Sequence, residues 1–305
     1  MKLKKLFYLT TLLFCSTCGS FTTQTISLED AIARGKLSEK KCKDSVDFTL
    51  YRGSLILFNA KINNEDKQFI YDNGCSLTLL QKQEENNSEQ VVDSYGNKIP
   101  AGLILLDSLK MGKATFLNTL AYTIDIPPIF NELENFGGFV GTSIIAKLNW
   151  KIDFVHNRLF FSDQSFINDT TFEVLNFSYD SLEKNNVILL TILGDNYKTI
   201  VDLGSSQMLK VPVAHPLTEK LSQKYTIKKG RTRVLTVAGS DTREYGILTI
   251  PMLKFGGKEC YNVRTSIEGK NKNYLTVGAS FFKNKVFCID NTKQTYAIKN
   301  QRLSN

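Results

Sequence analysis

Lys61–Leu80 reads KINNEDKQFIYDNGCSLTLL, and Thr191–Lys210 reads TILGDNYKTIVDLGSSQMLK. Each stretch runs from an apolar strand through a polar turn into a second apolar strand, and each then reaches Asp-x-Gly-x-Ser. The first motif is Asp72-Asn73-Gly74-Cys75-Ser76 and the second is Asp202-Leu203-Gly204-Ser205-Ser206, 130 residues further on. The likeness extends outward. Leu109-Lys110-Met111-Gly112 recurs as Leu253-Lys254-Phe255-Gly256, and GFVGTSIIAKLNWKIDFVHNRLFF, from Gly138, recurs as LTVGASFFKNKVFCIDNTKQTYAI, from Leu275. Blocks that recur in the same order with slightly drifting offsets indicate duplication.

Each copy predicts an all-β lobe with one short helix. Leu55–Ile62, Gln68–Tyr71, Val187–Leu193 and Lys198–Val201 are β-branched or apolar runs bounded by Asn, Asp and Gly turns. The runs after Gly141 and Gly278 suit a turn or two of helix, and each leads into a hairpin. Ser27–Arg34 is the only amphipathic helix expected, with Ser27 and Asp30 as a capping start. The expected organisation is a signal over residues 1–18, a tether over 19–45, one lobe over 46–165 and a second over 166–305, with a linker near 163–175.

The chain has 305 residues, 42% of them hydrophobic and 22% charged, which suits a folded protein and excludes wholesale disorder. Lys2, Lys4 and Lys5 precede the apolar run Leu6–Phe14, too short for a bilayer, which needs about 20 residues, and laid out as an export signal. Export is therefore expected: to the periplasm or cell envelope of a bacterium, or otherwise to the exterior. Cys18-Gly19-Ser20 also suits a lipidated lipoprotein cysteine, although Cys15-Ser16-Thr17 fits a leucine-bearing lipobox poorly. Such an anchor would be the only link to a membrane. Removing the three signal lysines lowers the formal charge from +8 to +5, and the remaining charges are scattered, which disfavours a nucleic-acid partner. Four cysteines remain, with Cys260 and Cys288 the preferred pair. Two histidines, His156 in a turn and His215 before Pro216, read as surface residues. They exclude a histidine cluster, and no Gly-x-Ser-x-Gly elbow exists for a serine hydrolase.

An Asp at a strand end with Gly two residues on makes a sharp turn that points the carboxylate out of the sheet. Two such turns related by an approximate two-fold axis would set two carboxylates face to face. The pair would hold one proton between them, since like charges that close do not both ionise. One member is then a base toward water while the other polarises a carbonyl.

Here the sequence resembles the aspartic peptidases, in the two-lobed arrangement of pepsin with the short lobes of the retropepsin-like branch. The likeness covers about residues 50–300 and includes, later in each copy, the element that the family writes as two apolar residues before glycine: Phe139-Val140-Gly141 and, with Thr in the first place, Thr276-Val277-Gly278. It implies two barrel-like lobes about a cleft, with Asp72 and Asp202 as the catalytic pair and Asn73, Gly74, Ser76, Leu203, Gly204 and Ser206 as supporting residues. Ser76 and Ser206 match the serine that bonds the outer carboxylate oxygen. It also implies a flap at Val91–Pro100, with Tyr95 and Gly96 over the substrate, and a counterpart near Thr236–Asp241. The substrate is an extended peptide or protein segment, and no cofactor or metal is implied. The departures are Asn73 and Leu203, where the family has Thr or Ser whose hydroxyls interlock beneath the dyad, and Cys75, read as a packed, inert thiol. The alternative is an inactive pseudo-peptidase that binds peptide or serves a structural role.

Overall fold

A computed structural model describes residues 26–82, 89–93, 95–168, 170–180, 184–269 and 273–300. The signal reading and Cys18 lie outside the described residues. The first copy contains α1 (Leu28–Ala33), β1 (Lys36–Leu37), β2 (Lys43–Tyr51), β3 (Leu55–Ile62), β4 (Glu65–Tyr71), β5 (Thr78–Gln81) and β6 (Glu89–Val92). It continues through β7 (Lys98–Met111), β8 (Ala114–Ile124), β9 (Phe136–Val140), α2 (Thr142–Ile145), β10 (Asn149–Asp153) and β11 (Arg158–Ser162). The second begins with β12 (Glu173–Asn176), β13 (Ser178–Tyr179), β14 (Asn186–Ile192), β15 (Asp195–Asp202), β16 (Leu209–Val211) and α3 (Pro216–Lys224). It ends with β17 (Lys228–Thr236), β18 (Gly239–Phe255), β19 (Lys258–Ile267), β20 (Leu275–Gly278), a 3-10 turn at Ala279–Phe282, β21 (Lys285–Asp290) and β22 (Thr295–Asn300).

The protein is mostly β, and among the described residues the strands form two sheets, one of fourteen strands and one of eight. The duplication is visible in the pairing. In the first copy β4 and β5 flank β9, parallel and antiparallel, and β5 runs parallel to β8. In the second, β15 and β16 flank β20 in the same two senses, and β16 runs parallel to β19. Each sheet also folds back on itself through an extra pairing, β3 with β7 and β14 with β18. The strands at these crossings are covered on both faces. Phe69, Ile70 and Tyr71 are all fully buried, so they form a continuous apolar run rather than an alternating one.

The two duplicated hairpins, β10–β11 and β21–β22, pair side by side, with Trp150 opposite Ile289 and Ile152 opposite Phe287. With β2 and β12 at the outside they make a six-strand layer shared by both copies. Asp153 and Asp290 cap the two hairpin turns: Asp153 Oδ1 accepts from the Val155 and His156 N–H groups, and Asp290 Oδ1 from that of Lys293.

Several expectations need correction. From Ile26 onward the supposed tether is docked: Ala31 of α1 packs with Leu77 and Leu120, and β1 pairs with β8. A helix went unread at α3, where Pro216 opens the first turn and Leu217 and Leu221 are buried. His215 is not a surface residue; it is buried and its Nδ1 caps that helix by accepting from Leu217 N–H at 3.1 Å. No disulfide joins Cys42, Cys75, Cys260 or Cys288. Cys260 packs in the main core and Cys288 in a small cluster with Val286 and Ala297, so the preferred pair points into different cores.

Candidate active site

Asp72 follows β4 and Asp202 ends β15, each beside the strand that carries the apolar-apolar-glycine element. The residues after those glycines return to the acidic turn. Thr142 and Ser143 N–H groups donate to the carbonyls of Cys75 and Ser76, at 2.8 and 3.0 Å. In the second copy Ala279 N–H donates to Ser205 O at 2.8 Å and Ser280 Oγ to Ser206 O at 2.7 Å. A Cβ on Gly141 would sit 2.4 Å from Leu77 O, and one on Gly278 2.4 Å from Gln207 O. Glycine is therefore required there by the closeness of the acidic turn's backbone.

The turn glycines pack on the opposite lobe's carboxylate. A Cβ on Gly74 would meet Asp202 Oδ1 at 2.5 Å, and one on Gly204 would meet Asp72 Cγ at 2.2 Å. Each glycine also donates its N–H to the Asp of its own turn, at 3.0 Å for Gly74 and 2.9 Å for Gly204. The two carboxyls are within hydrogen-bond reach of one another. Burial pushes both above the ordinary carboxylate value; for Asp202 the charge of Asp72 adds to this and lifts it to about 7, against the opposing charge of Lys210. Asp72 rises against donation from the Cys75 thiol and the Gly74 and Cys75 N–H groups. Two raised, adjacent carboxyls suit a pair that shares one proton.

Asn73 changes the expected picture beneath the dyad. Its Nδ2 donates to Val201 O at 2.7 Å, and its Oδ1 accepts from Leu203 N–H at 2.7 Å. One amide thus bridges both backbone partners on the opposite turn. Leu203 makes no reciprocal side-chain bond; it is fully buried in the main core. The interlock is one-sided and still joins the lobes.

Cys75 adds a contact on Asp72. Cys75 Sγ donates to Asp72 Oδ2 at 3.1 Å, a contact from the residue three positions after the Asp. The thiol is not an inert filler. Burial and the neighbouring Asp72 charge push it well above its usual value, which keeps it a donor. On Asp202 the N–H groups of Gly204 and Ser205 supply the backbone bonds, while Ser206 is exposed.

Two hairpins, β6–β7 and β17–β18, form at the expected positions and meet at their tips. Gly96 has φ +85° with open space around it, the left-handed turn position of the first tip. Tyr95 is buried, and its hydroxyl donates to Glu268 Oε2 of the second copy at 3.0 Å. Asp93 organises the tip: Oδ1 accepts from Tyr95 and Asn97 N–H groups, and Oδ2 accepts from Asn97 Nδ2 and, at 2.8 Å, Thr236 Oγ1 of the other hairpin. Val237 in turn packs on the first lobe's second apolar cluster. Burial raises the Asp93 carboxyl, but these donors, the Asn97 N–H and Thr236 hydroxyl first, outweigh it and hold it below its usual value.

Sequence reasoning missed Asp93, Lys210 and Glu268. The turn signal Asp93-x-x-Gly96 was available for the first. For Glu268 the signal was its match with Asp125, which emerges only after strands β8 and β19 are aligned. No cluster of three or more His, Cys, Asp or Glu side chains suited to a metal occurs among the described residues. No protein-family model matches the sequence, and no curated protein matches it.

Proposed function

We propose that the chain is an exported aspartic endopeptidase, hydrolysing peptide bonds with a water activated between Asp72 and Asp202. The observation that carries this reading is the reciprocal packing of Gly74 on Asp202 and Gly204 on Asp72, which brings the two carboxyls together, and a pair that close would share one proton. Asp72 takes a proton from the water as its oxygen attacks the scissile carbonyl carbon. Asp202 gives its proton to the carbonyl oxygen, producing a neutral diol. Collapse returns a diol proton to Asp202, while Asp72 passes its proton to the departing amine. The peptide would lie extended beneath the two hairpins, which must part to admit it.

Cleavage of a mixed peptide library from acidic to neutral pH tests this. Wild type cuts, with an alkaline limb near the Asp202 value of about 7, and Asp72→Asn loses at least ~1000-fold in kcat, the scale of losing an essential acid–base group. The one-sided interlock at Leu203 and the Tyr95 ring in the cleft favour a second reading, a peptide-binding protein without hydrolysis. Peptide retention by wild type with no cleavage at any pH would establish that second reading instead.

A further inference from the structure

One buried carboxylate near the dyad takes no part in the reaction just described. Glu268 follows the last residue of β19 and is only 2% exposed. Its Oε1 accepts from Gln207 Nε2 at 2.8 Å and its Oε2 from the Tyr95 hydroxyl at 3.0 Å. Gln207 comes directly after the acidic turn of the second lobe and is itself held by Ser266 Oγ at 3.1 Å. Glu268 therefore bridges the residue after the acidic turn and the tip of the β6–β7 hairpin.

Both of its donors are neutral, and no ion pair joins Glu268 to a cation among the described residues. Two cations near Tyr95 are engaged otherwise. Arg243 pairs with Asp241 at 3.0 Å and lies over the Tyr95 ring at 4.2 Å. Lys210 stands 5.2 Å from the same ring, and its charge acts on Asp202. A buried carboxylate without a cation is costly to keep, and the cost is offset where a ligand brings the missing charge.

The lobes differ at this point. Gln81 pairs with Ile124 in the first lobe as Val211 pairs with Ile267 in the second, so Asp125 is the counterpart of Glu268. Asp125 is exposed. The counterpart of Gln207 is Leu77, buried beneath Ala31 of α1. Duplication thus left one wall apolar and covered, and the other with a sequestered negative charge behind a movable tyrosine.

We infer that Glu268 determines specificity: with the flap raised, its carboxylate receives the ammonium or guanidinium of a lysine or arginine side chain of the peptide, in the place the Tyr95 hydroxyl holds when the flap is closed. This rests on the peptidase reading. The test is a positional-scanning peptide library carrying lysine, acetyl-lysine or norleucine at each position in turn. Wild type prefers lysine over acetyl-lysine at one position by roughly 10- to 100-fold in kcat/KM, the range for a desolvated charge pair. Glu268→Gln abolishes that preference while still cutting the norleucine peptides. Should Glu268→Gln not fold, Glu268→Asp withdraws the carboxylate by one methylene and shifts the preference from lysine to the longer arginine.

Binding of the same peptides to Asp72→Asn, followed by fluorescence anisotropy, separates this inference from the reaction itself. If wild type cuts nothing, yet Asp72→Asn binds the lysine peptide about 10-fold tighter than the acetyl-lysine one and loses this on adding Glu268→Gln, the hydrolytic reading fails and the recognition stands. Cleavage without charge preference overturns the recognition alone. So does a lysine preference that survives Glu268→Gln, or a lysine-to-arginine ratio unmoved in Glu268→Asp. Absence of both cleavage and charge-dependent binding overturns it as well.

Discussion

Asn73 holds two backbone groups of the opposite lobe with one side chain, Val201 O and Leu203 N–H, both at 2.7 Å. Asn73→Ala leaves two buried groups unpaired and is expected to cost about 2–4 kcal/mol, read as a lower melting temperature. Asn73→Ser, too short to span both partners, recovers only part of it, and a melting point unmoved in Asn73→Ala would refute the bridge. Asp202 carries a prediction with the opposite sign. Its folded value lies near 7, above the ordinary unfolded carboxylate value of about 3.9. The stability tied to its protonated form is therefore complete below about pH 4 and is lost as pH rises through 7. Asp202→Asn should melt close to wild type at about pH 4 and higher than wild type at about pH 8, by the equivalent of roughly 2–4 kcal/mol. The two aspartates were legible in the sequence because the motif repeats. The jobs of Asn73 and Cys75 were not, because a donor's partner depends on which backbone the fold brings under it, and Val201 lies 128 residues from Asn73.

Among the elements, strands and hairpins were the readable part. Their alternating or continuous apolar runs report burial directly, so the expected bounds of β3 coincide with the observed ones and those of β4, β14 and β15 come close. Helix α3 escaped because its apolar face is only Leu217 and Leu221 and its cap is a histidine, which does not read as a helix start. The two hairpins were placed by the family resemblance, but their mutual grip was hidden. Thr236 reaches Asp93 and Tyr95 reaches Glu268, contacts between segments 143 and 173 residues apart. Thr236→Val removes the tip-to-tip bond without altering either strand. Amide hydrogen exchange over Val91–Pro100 should speed up by roughly 5- to 10-fold, the effect of losing one hydrogen bond of about 1 kcal/mol in the closed state, while exchange in β10 and β21 stays unchanged. Equal protection of Val91–Pro100 in the variant would mean that the hairpins are not held to each other by this contact.

At the scale of the whole molecule, duplication invites the expectation of two independent units of about 130 residues, each in the usual range for a small domain. The packing argues otherwise. One apolar core runs from Phe48 and Trp150 in the first copy to Leu203, Phe255 and Tyr296 in the second. The six-strand layer has β10 of one copy paired along β21 of the other, so neither half completes its sheet alone. Side chains add further ties across the seam. Asn291 Nδ2 donates to Ile145 O at 2.9 Å and Leu148 O at 2.6 Å, and Lys184 pairs with Glu29 at 2.8 Å. Separating the halves would expose Trp150, Phe287 and Tyr296, all fully buried now, at about 1.5–3 kcal/mol per large apolar side chain. The dyad follows the same logic, since each carboxylate is housed by the other lobe's glycine. Unfolding should therefore be a single cooperative transition whose calorimetric and van't Hoff enthalpies agree, despite a length at which multi-domain behaviour is common. Residues 46–165 and 166–305 expressed apart should each lack a sharp transition and should gain one on mixing. Two resolved transitions in the intact chain, or a half that melts cooperatively by itself, would mean that the lobes are separate domains and that their shared layer is a docking interface.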